Sequence, residues 1–128
     1  MTANNMVGWF EIPVTDMERA IKFYSDVFSV ELHRNKLGDL DMAWFPYDEK
    51  GLGCPGSLVY NPEFYKPSDQ GSLLYFTPRS GDLAIELGRV EAAGGKVLMP
   101  KKLISEDIGY MGLFLDSEGN RIGIHSRA

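Results

Sequence analysis

An α+β fold of two tandem βαβββ modules is predicted by three features of this sequence. Residues 109–127, GYMGLFLDSEGNRIGIHSR, alternate in side-chain character on both sides of a Gly-containing turn, which is a strong hairpin pattern. Two helices are indicated, one opening at Asp16 and one at Asp82, 66 residues apart. The order strand, helix, three strands recurs in each half, and the same shift carries Trp9 onto Tyr75 and Ser57 onto Gly123.

The elements follow in chain order. Val7 to Val14 alternates, with Phe10, Ile12 and Val14 on one face and Trp9, Glu11 and Pro13 on the other. Pro13, which removes a ladder donor, suits a strand end. Thr15-Asp16-Met17-Glu18 reads as a capping box with Thr15 at N-cap and Glu18 at the third helical position. Behind it, Met17, Ala20, Ile21, Tyr24, Val27 and Phe28 form the apolar face of a helix to Phe28. Val30–Arg34 and Met42–Tyr47 are expected strands around a turn at Leu37-Gly38-Asp39, and Ser57–Asn61 is a further strand. In the second half, Ser72–Thr77 is a strand, and Asp82–Ala93 a helix that stops at Gly94-Gly95. Lys96–Met99 is a strand, and the hairpin completes the set. In it, Asp116 opens a turn that Gly119 closes in a left-handed conformation. One row of hairpin side chains packs under a helix and the other lines a second face. The whole chain, 1–128, is expected to be one domain, with module one at about 6–61, a polar linker at about 62–71, and module two at about 72–127.

Composition narrows the function classes. The chain is 44% apolar and 24% charged, the balance of a soluble globular protein. Its net charge of −5 and lack of a Lys/Arg-dense run argue against nucleic acid as a partner. The start, MTANNM, lacks the layout of a signal peptide, and no apolar run approaches the roughly 20 residues of a membrane span. Cys54 is the only cysteine, which excludes an intrachain disulfide and a thiolate metal cluster. A cytoplasmic protein without membrane partners is expected.

Three stretches carry a family resemblance: TDMERAIKFY at 15–24, the helix exit Ala92-Ala93-Gly94-Gly95, and FLDSEGN at 114–120. In their joint order and spacing the sequence is similar to the vicinal-oxygen-chelate superfamily, which groups glyoxalase I, bleomycin-resistance proteins, fosfomycin-resistance enzymes and extradiol dioxygenases. The resemblance spans the chain. It implies sheets that curl into a cup, often completed in a homodimer, with one divalent metal held from the first and last strands of each module. The corresponding positions here are Trp9, Ser57, Tyr75 and Gly123. Such ions require imidazole or carboxylate donors, so the resemblance to the metal enzymes stops at these four residues. No cofactor is expected, although a divalent metal held in a non-standard way belongs to one of the readings below.

Glu11 and His125 each lie two residues beyond one of those positions, on the cup-lining face by alternation. One reading makes them a proton-transferring pair, Glu11 as base and His125 as acid or orienting partner. The other makes them a solvated carboxylate and a surface histidine. Trp9, Trp44, Tyr75, Tyr110 and Phe114, with Tyr60 as a marginal member, supply aromatic surface for stacking a ligand or for filling the cup. Cys54 reads as incidental, Lys101, Lys102 and Arg121 as solvated strand-edge cations, and His33 as a surface residue. The function expected first is metal-independent binding of a small molecule in an aromatic cup by a homodimer. The alternatives are a glyoxalase-like lyase or isomerase using Glu11 and His125, and a non-catalytic dimerisation or regulatory module.

Overall fold

The computed structural model describes residues 5–128; residues 1–4, which open the polar MTANNM start, lie outside the described residues. The elements in chain order are β1 (Phe10–Pro13), α1 (Met17–Phe28), β2 (His33–Leu37), β3 (Leu40–Trp44), β4 (Gly56–Tyr60), β5 (Leu74–Phe76), α2 (Leu83–Ala93), β6 (Lys96–Ser105), β7 (Gly109–Leu115) and β8 (Arg121–Ser126). They form two four-stranded mixed sheets, ordered β1-β4-β3-β2 and β5-β8-β7-β6, that do not close on each other. In both, the first strand pairs in parallel with the last and the remaining pairs are antiparallel. The second sheet therefore repeats the first, as the tandem pattern requires.

The repeat departs from a uniform shift in one place. Gly123 pairs with Tyr75, but Ser57 pairs with Glu11 rather than Trp9. The cause lies before the helices. Asp82 stands seven residues after Tyr75, whereas Asp16 stands five after Glu11. The extra length is taken up by the turn in which Gly81 N–H donates to Pro78 O (3.1 Å).

Several boundaries differ from the sequence expectation for identifiable reasons. β2 begins at His33, because Ser29 adopts a left-handed cap and Val30 N–H still donates to Ser25 O (3.3 Å). β6 runs on to Ser105 through Pro100, which an edge strand tolerates where its register is broken between Met99 and Lys102. The cap of α1 is Asp16, whose Oδ1 accepts from Arg19 N–H (3.1 Å), and not Thr15. Glu18, expected to close a capping box, instead pairs with Arg34 on β2.

Thr15 is occupied by a residue from the far end of the chain. Glu118, in the β7–β8 turn, accepts from Thr15 N–H (2.8 Å) and Asp16 N–H (2.9 Å) through Oε1 and from Arg19 Nε (2.7 Å) through Oε2. Its side chain has no solvent exposure. An anion at a helix N-terminus satisfies orphan amides and meets the positive end of the helix dipole. In the same turn, Asp116 accepts the Tyr24 hydroxyl (2.6 Å), and Asn120 donates to Pro13 O (2.8 Å) and accepts from Ser68 N–H (3.0 Å). Three residues of module two, Asp116, Glu118 and Asn120, thus clasp the end of the first strand and the first helix of module one.

Behind this clasp lies one hydrophobic core shared by both modules. It takes Ile12, Ala43 and Leu58 from the first sheet, Phe114, Ile122 and Ile124 from the second, and the buried faces of both helices. Phe28 packs on Phe76 (4.8 Å between ring centroids) and Phe23 on Phe114 (6.0 Å), so the aromatic contacts cross the module boundary. With one face of each sheet committed to this core, the other two faces point away from it.

Burial pushes the Asp116 carboxyl above its ordinary value against the hydrogen bonds it accepts, and burial with the adjacent Asp116 charge pushes the Tyr24 phenol well up. Tyr24→Phe removes the shortest of those bonds to a buried acceptor and is expected to cost about 1–3 kcal/mol in urea unfolding. Burial also pushes Glu118 up, but Arg19 and the Thr15 and Asp16 amides outweigh it and hold its carboxyl at about 2. A depressed carboxyl stabilises the fold above its unfolded value near 4.5, and that contribution disappears as pH falls through about 2. Urea midpoints from neutral pH down to about pH 2 should therefore fall more steeply for the wild type than for Glu118→Gln. Parallel acid limbs would contradict this assignment of Glu118.

Candidate functional site

Alternation along the strands decides what the two outward faces carry. On the first sheet, register places Glu11 beside Ser57, Ser57 beside Trp44, and Trp44 beside His33. On the second, Tyr75 lies beside Gly123 and Gly123 beside Leu113, with His125 and Met111 the next pair along.

The first face is the richer chemically. Glu11 accepts from the Trp9 indole N–H (3.3 Å) through Oε2 and from the Tyr65 hydroxyl (2.7 Å) through Oε1. Trp9 packs edge-on against Trp44 (centroids 4.9 Å, interplanar angle 67°), and Tyr47 continues the aromatic surface at 6.4 Å from Trp44. The hydrogen bond to Glu11 raises the Tyr65 phenol above its ordinary value, with burial adding to it. Beside this group lie two buried polar atoms without a partner among the described residues, Trp44 Nε1 and Ser57 Oγ. Buried polar groups are normally satisfied, so this pair is an unsatisfied polar spot beneath the aromatic surface.

Tyr65 carried no signal in the sequence. It sits in the segment that reads as a polar linker, and only the turn in which Tyr65 N–H donates to Asn61 O (2.8 Å) brings its ring back over the sheet. Tyr47 was likewise placed in a strand and not in the site. An aromatic in a Pro-containing connection has no periodicity from which a face can be read.

The second face is organised around a close approach. A Cβ on Gly123 would lie 2.7 Å from the Tyr75 ring, so only glycine lets that ring lie flat on β8. His125 is tied down locally: Nε2 donates to Ile108 O (2.6 Å), while Arg127 donates to Asp107 O (2.7 Å). Both bonds fasten the turn that precedes β7. Glu11 and His125 belong to different sheets, each has its own partners, and no hydrogen bond joins them within one chain.

Two expected members leave the aromatic set. Phe114 is wholly buried in the core against Phe23 and Phe28. Tyr110 shares its side of β7 and packs on the core under Lys101 Nζ (4.4 Å from the ring centroid). The reason is parity. Gly112, between them in the same row, faces Leu87 of α2, so that row turns toward the helix while Met111 and Leu113 take the outward side.

The donor set does not fit a divalent metal. The sequence spacing puts the Trp9 indole at the first position, but strand register puts Glu11 there, opposite Ser57 as Tyr75 is opposite Gly123. One carboxylate with a hydroxyl, a phenol and a glycine is too few donors, and the Tyr75 ring covers the last position. Among the described residues, no three His, Cys, Asp or Glu side chains come together in a way that would hold an ion.

Comparison with known proteins agrees with the geometry. A family model of the Glyoxalase/Bleomycin resistance protein/Dioxygenase superfamily matches residues 6–124. The chain is 28% identical over 137 residues to a glyoxylase-like domain-containing protein of Didymella fabae, covering 99% of this chain and 98% of that protein. Among solved structures it is similar to a glyoxalase-related enzyme from Fulvimarina pelagi (TM-score 0.71, 17% identity, 96% of this chain and 88% of that one). It is also similar to TnmS3, an antibiotic binding protein from Streptomyces sp. CB03234 (TM-score 0.64, 24% identity, all of both chains). At these identities the solved structures speak to the fold alone. With a strand-helix-strand order that repeats, two mixed sheets of matching topology and a family match over nearly its whole length, the chain belongs to the glyoxalase/bleomycin resistance protein/dioxygenase superfamily.

Proposed function

We propose that this protein binds a small molecule on the outward face of its first sheet and that a second copy of the chain covers it. The observation that carries this reading is the Trp9–Glu11–Tyr65 group beside Trp44, with two unpartnered buried polar atoms next to it. Indole rings offer a planar apolar surface, and Glu11 offers an acceptor already oriented by two donors, so the ligand is a planar or partly apolar molecule presenting a positive or hydrogen-bond-donating group. Trp44 Nε1 supplies a complementary donor. In a homodimer, Tyr75 and His125 on the partner's second sheet would form the opposite wall, and the whole chain acts as one domain. No helix of the described residues is long and apolar enough to cross a membrane, which agrees with a ligand taken from water. The antibiotic-binding relative supports this use of the fold.

Both tryptophans of the chain lie in this site, so intrinsic fluorescence reads it without labelling. Thermal-shift screening of aromatic amines, cationic antibiotics and thiol adducts should yield a ligand that also quenches the tryptophan signal. At 100 times its dissociation constant it would stabilise the fold by about 2.7 kcal/mol. Trp9→Ala and Trp44→Ala should each abolish the shift. A broad screen without hits, or hits indifferent to both variants, would refute the reading.

The donor set carries a second expectation. Protein purified without chelator should contain less than about 0.1 equivalent of zinc, nickel, manganese or iron by elemental analysis, since structural and catalytic sites retain their ions through purification. Near-stoichiometric metal, lost on Glu11→Ala or His125→Ala, would favour a glyoxalase-like lyase or isomerase instead.

A further inference from the structure

A second concavity lies where the modules meet above the shared core. It is a cleft of about 330 Å³ between the loop 51–56 and the end of β5, walled by Phe10, Phe28, Phe45 and Phe76. Phe76 is the centre of that wall, with ring centroids 4.8 Å from Phe28, 5.4 Å from Phe45 and 5.8 Å from Phe10. The floor stays flat because Phe10 lies against Gly56, where a Cβ would come within 2.2 Å of the ring. Trp9, Glu11 and Trp44 take no part in it, so it is separate from the indole group proposed above, and only Tyr75, on an edge strand of the second sheet, borders both.

The polar groups of the cleft have one sign. Arg79 lies at the rim, accompanied by the Thr77 hydroxyl and the Cys54 thiol, and no Asp or Glu lines the space. Arg19 and Arg34 are paired with carboxylates, and Arg89 and Arg127 donate to backbone carbonyls. Arg79 has neither kind of partner among the described residues, in a chain whose acidic residues outnumber its basic ones. A guanidinium free at the mouth of an apolar cleft attracts a planar anion, which it can engage with two parallel hydrogen bonds. Its volume falls at the lower end of small-ligand pockets, enough for one ring and a short chain. We propose that this inter-module cleft is a second ligand site, specific for a small monoanion with an aromatic body, of the arylalkanoate class. The ring stacks on the phenylalanine wall and the carboxylate meets Arg79.

Phenylbutyrate serves as the probe and phenylbutanol as its neutral control. Titrated into isotope-labelled full-length protein, phenylbutyrate should shift the amide signals of Gly53, Cys54, Thr77 and Arg79 saturably and leave the Trp9 and Trp44 indole signals in place. Arg79 is exposed, so Arg79→Gln should leave the fold unchanged. That variant should weaken phenylbutyrate about tenfold and phenylbutanol not at all. Alkylation of Cys54 by iodoacetamide should slow at saturating probe. The proposal fails if phenylbutyrate gives no saturable shift, if the shifts fall on the indoles, or if acid and alcohol bind equally and ignore Arg79→Gln. Because the indole signals belong to the other face, failure here and failure of the first site are read separately.

Discussion

Two carboxylates in one tight turn hold the modules of this protein together. Asp116 and Glu118 occupy the β7–β8 turn, yet their side-chain partners outside it are Tyr24 and Arg19 on α1 and Thr15 and Asp16 just before it. Removing Asp116 would leave the buried Tyr24 hydroxyl without its acceptor, and removing Glu118 would leave two amides at the start of α1 and the Arg19 guanidinium without theirs. The turn is also a local object in its own right, since Asp116 N–H donates to Asn120 O and Gly119 adopts the positive φ that closes it. A rigid local motif thereby fixes a long-range contact.

The orientation of everything functional follows from that docking. Once the helices and one face of each sheet share a core, the remaining faces must turn outward. The family's ligand positions fall on those faces. The resemblance assigns them to Trp9, Ser57, Tyr75 and Gly123, and strand register sets Glu11 rather than Trp9 opposite Ser57. The groups on those faces are indole and phenol rings with a single carboxylate oriented by two donors. The two-residue register difference between the modules adds to this, because it sets Glu11 beside Ser57 where module two has Tyr75 beside Gly123.

The two proposed sites share only Tyr75 and have opposite polarity. Glu11 among indoles suits a donor or a cation, whereas Arg79 above phenylalanines suits an anion. Neither uses a residue of the clasp, so the stability of the fold and the chemistry of its surfaces are carried by different groups.

The element order, both helices, the closing hairpin and the family were legible in the sequence, because each rests on local periodicity, turn chemistry or spacing along the chain. The face carrying Trp9, Trp44 and Glu11 was legible by alternation alone. Phe114 and Tyr110 were not, since the parity of β7 depends on which row meets Leu87 of α2. Tyr65 was not, because a connection without periodicity gives no face. The helix cap was misplaced by one residue because Thr15 is claimed by Glu118, 103 positions away. By itself the sequence determined that this is a duplicated βαβββ chain of this family, since residue type and spacing suffice for both. Only the tertiary structure decided that Glu11 and His125 stand apart within one chain and that a cleft with a free Arg79 opens between the modules. Both depend on how two sheets pack on one core, and no local pattern encodes that packing.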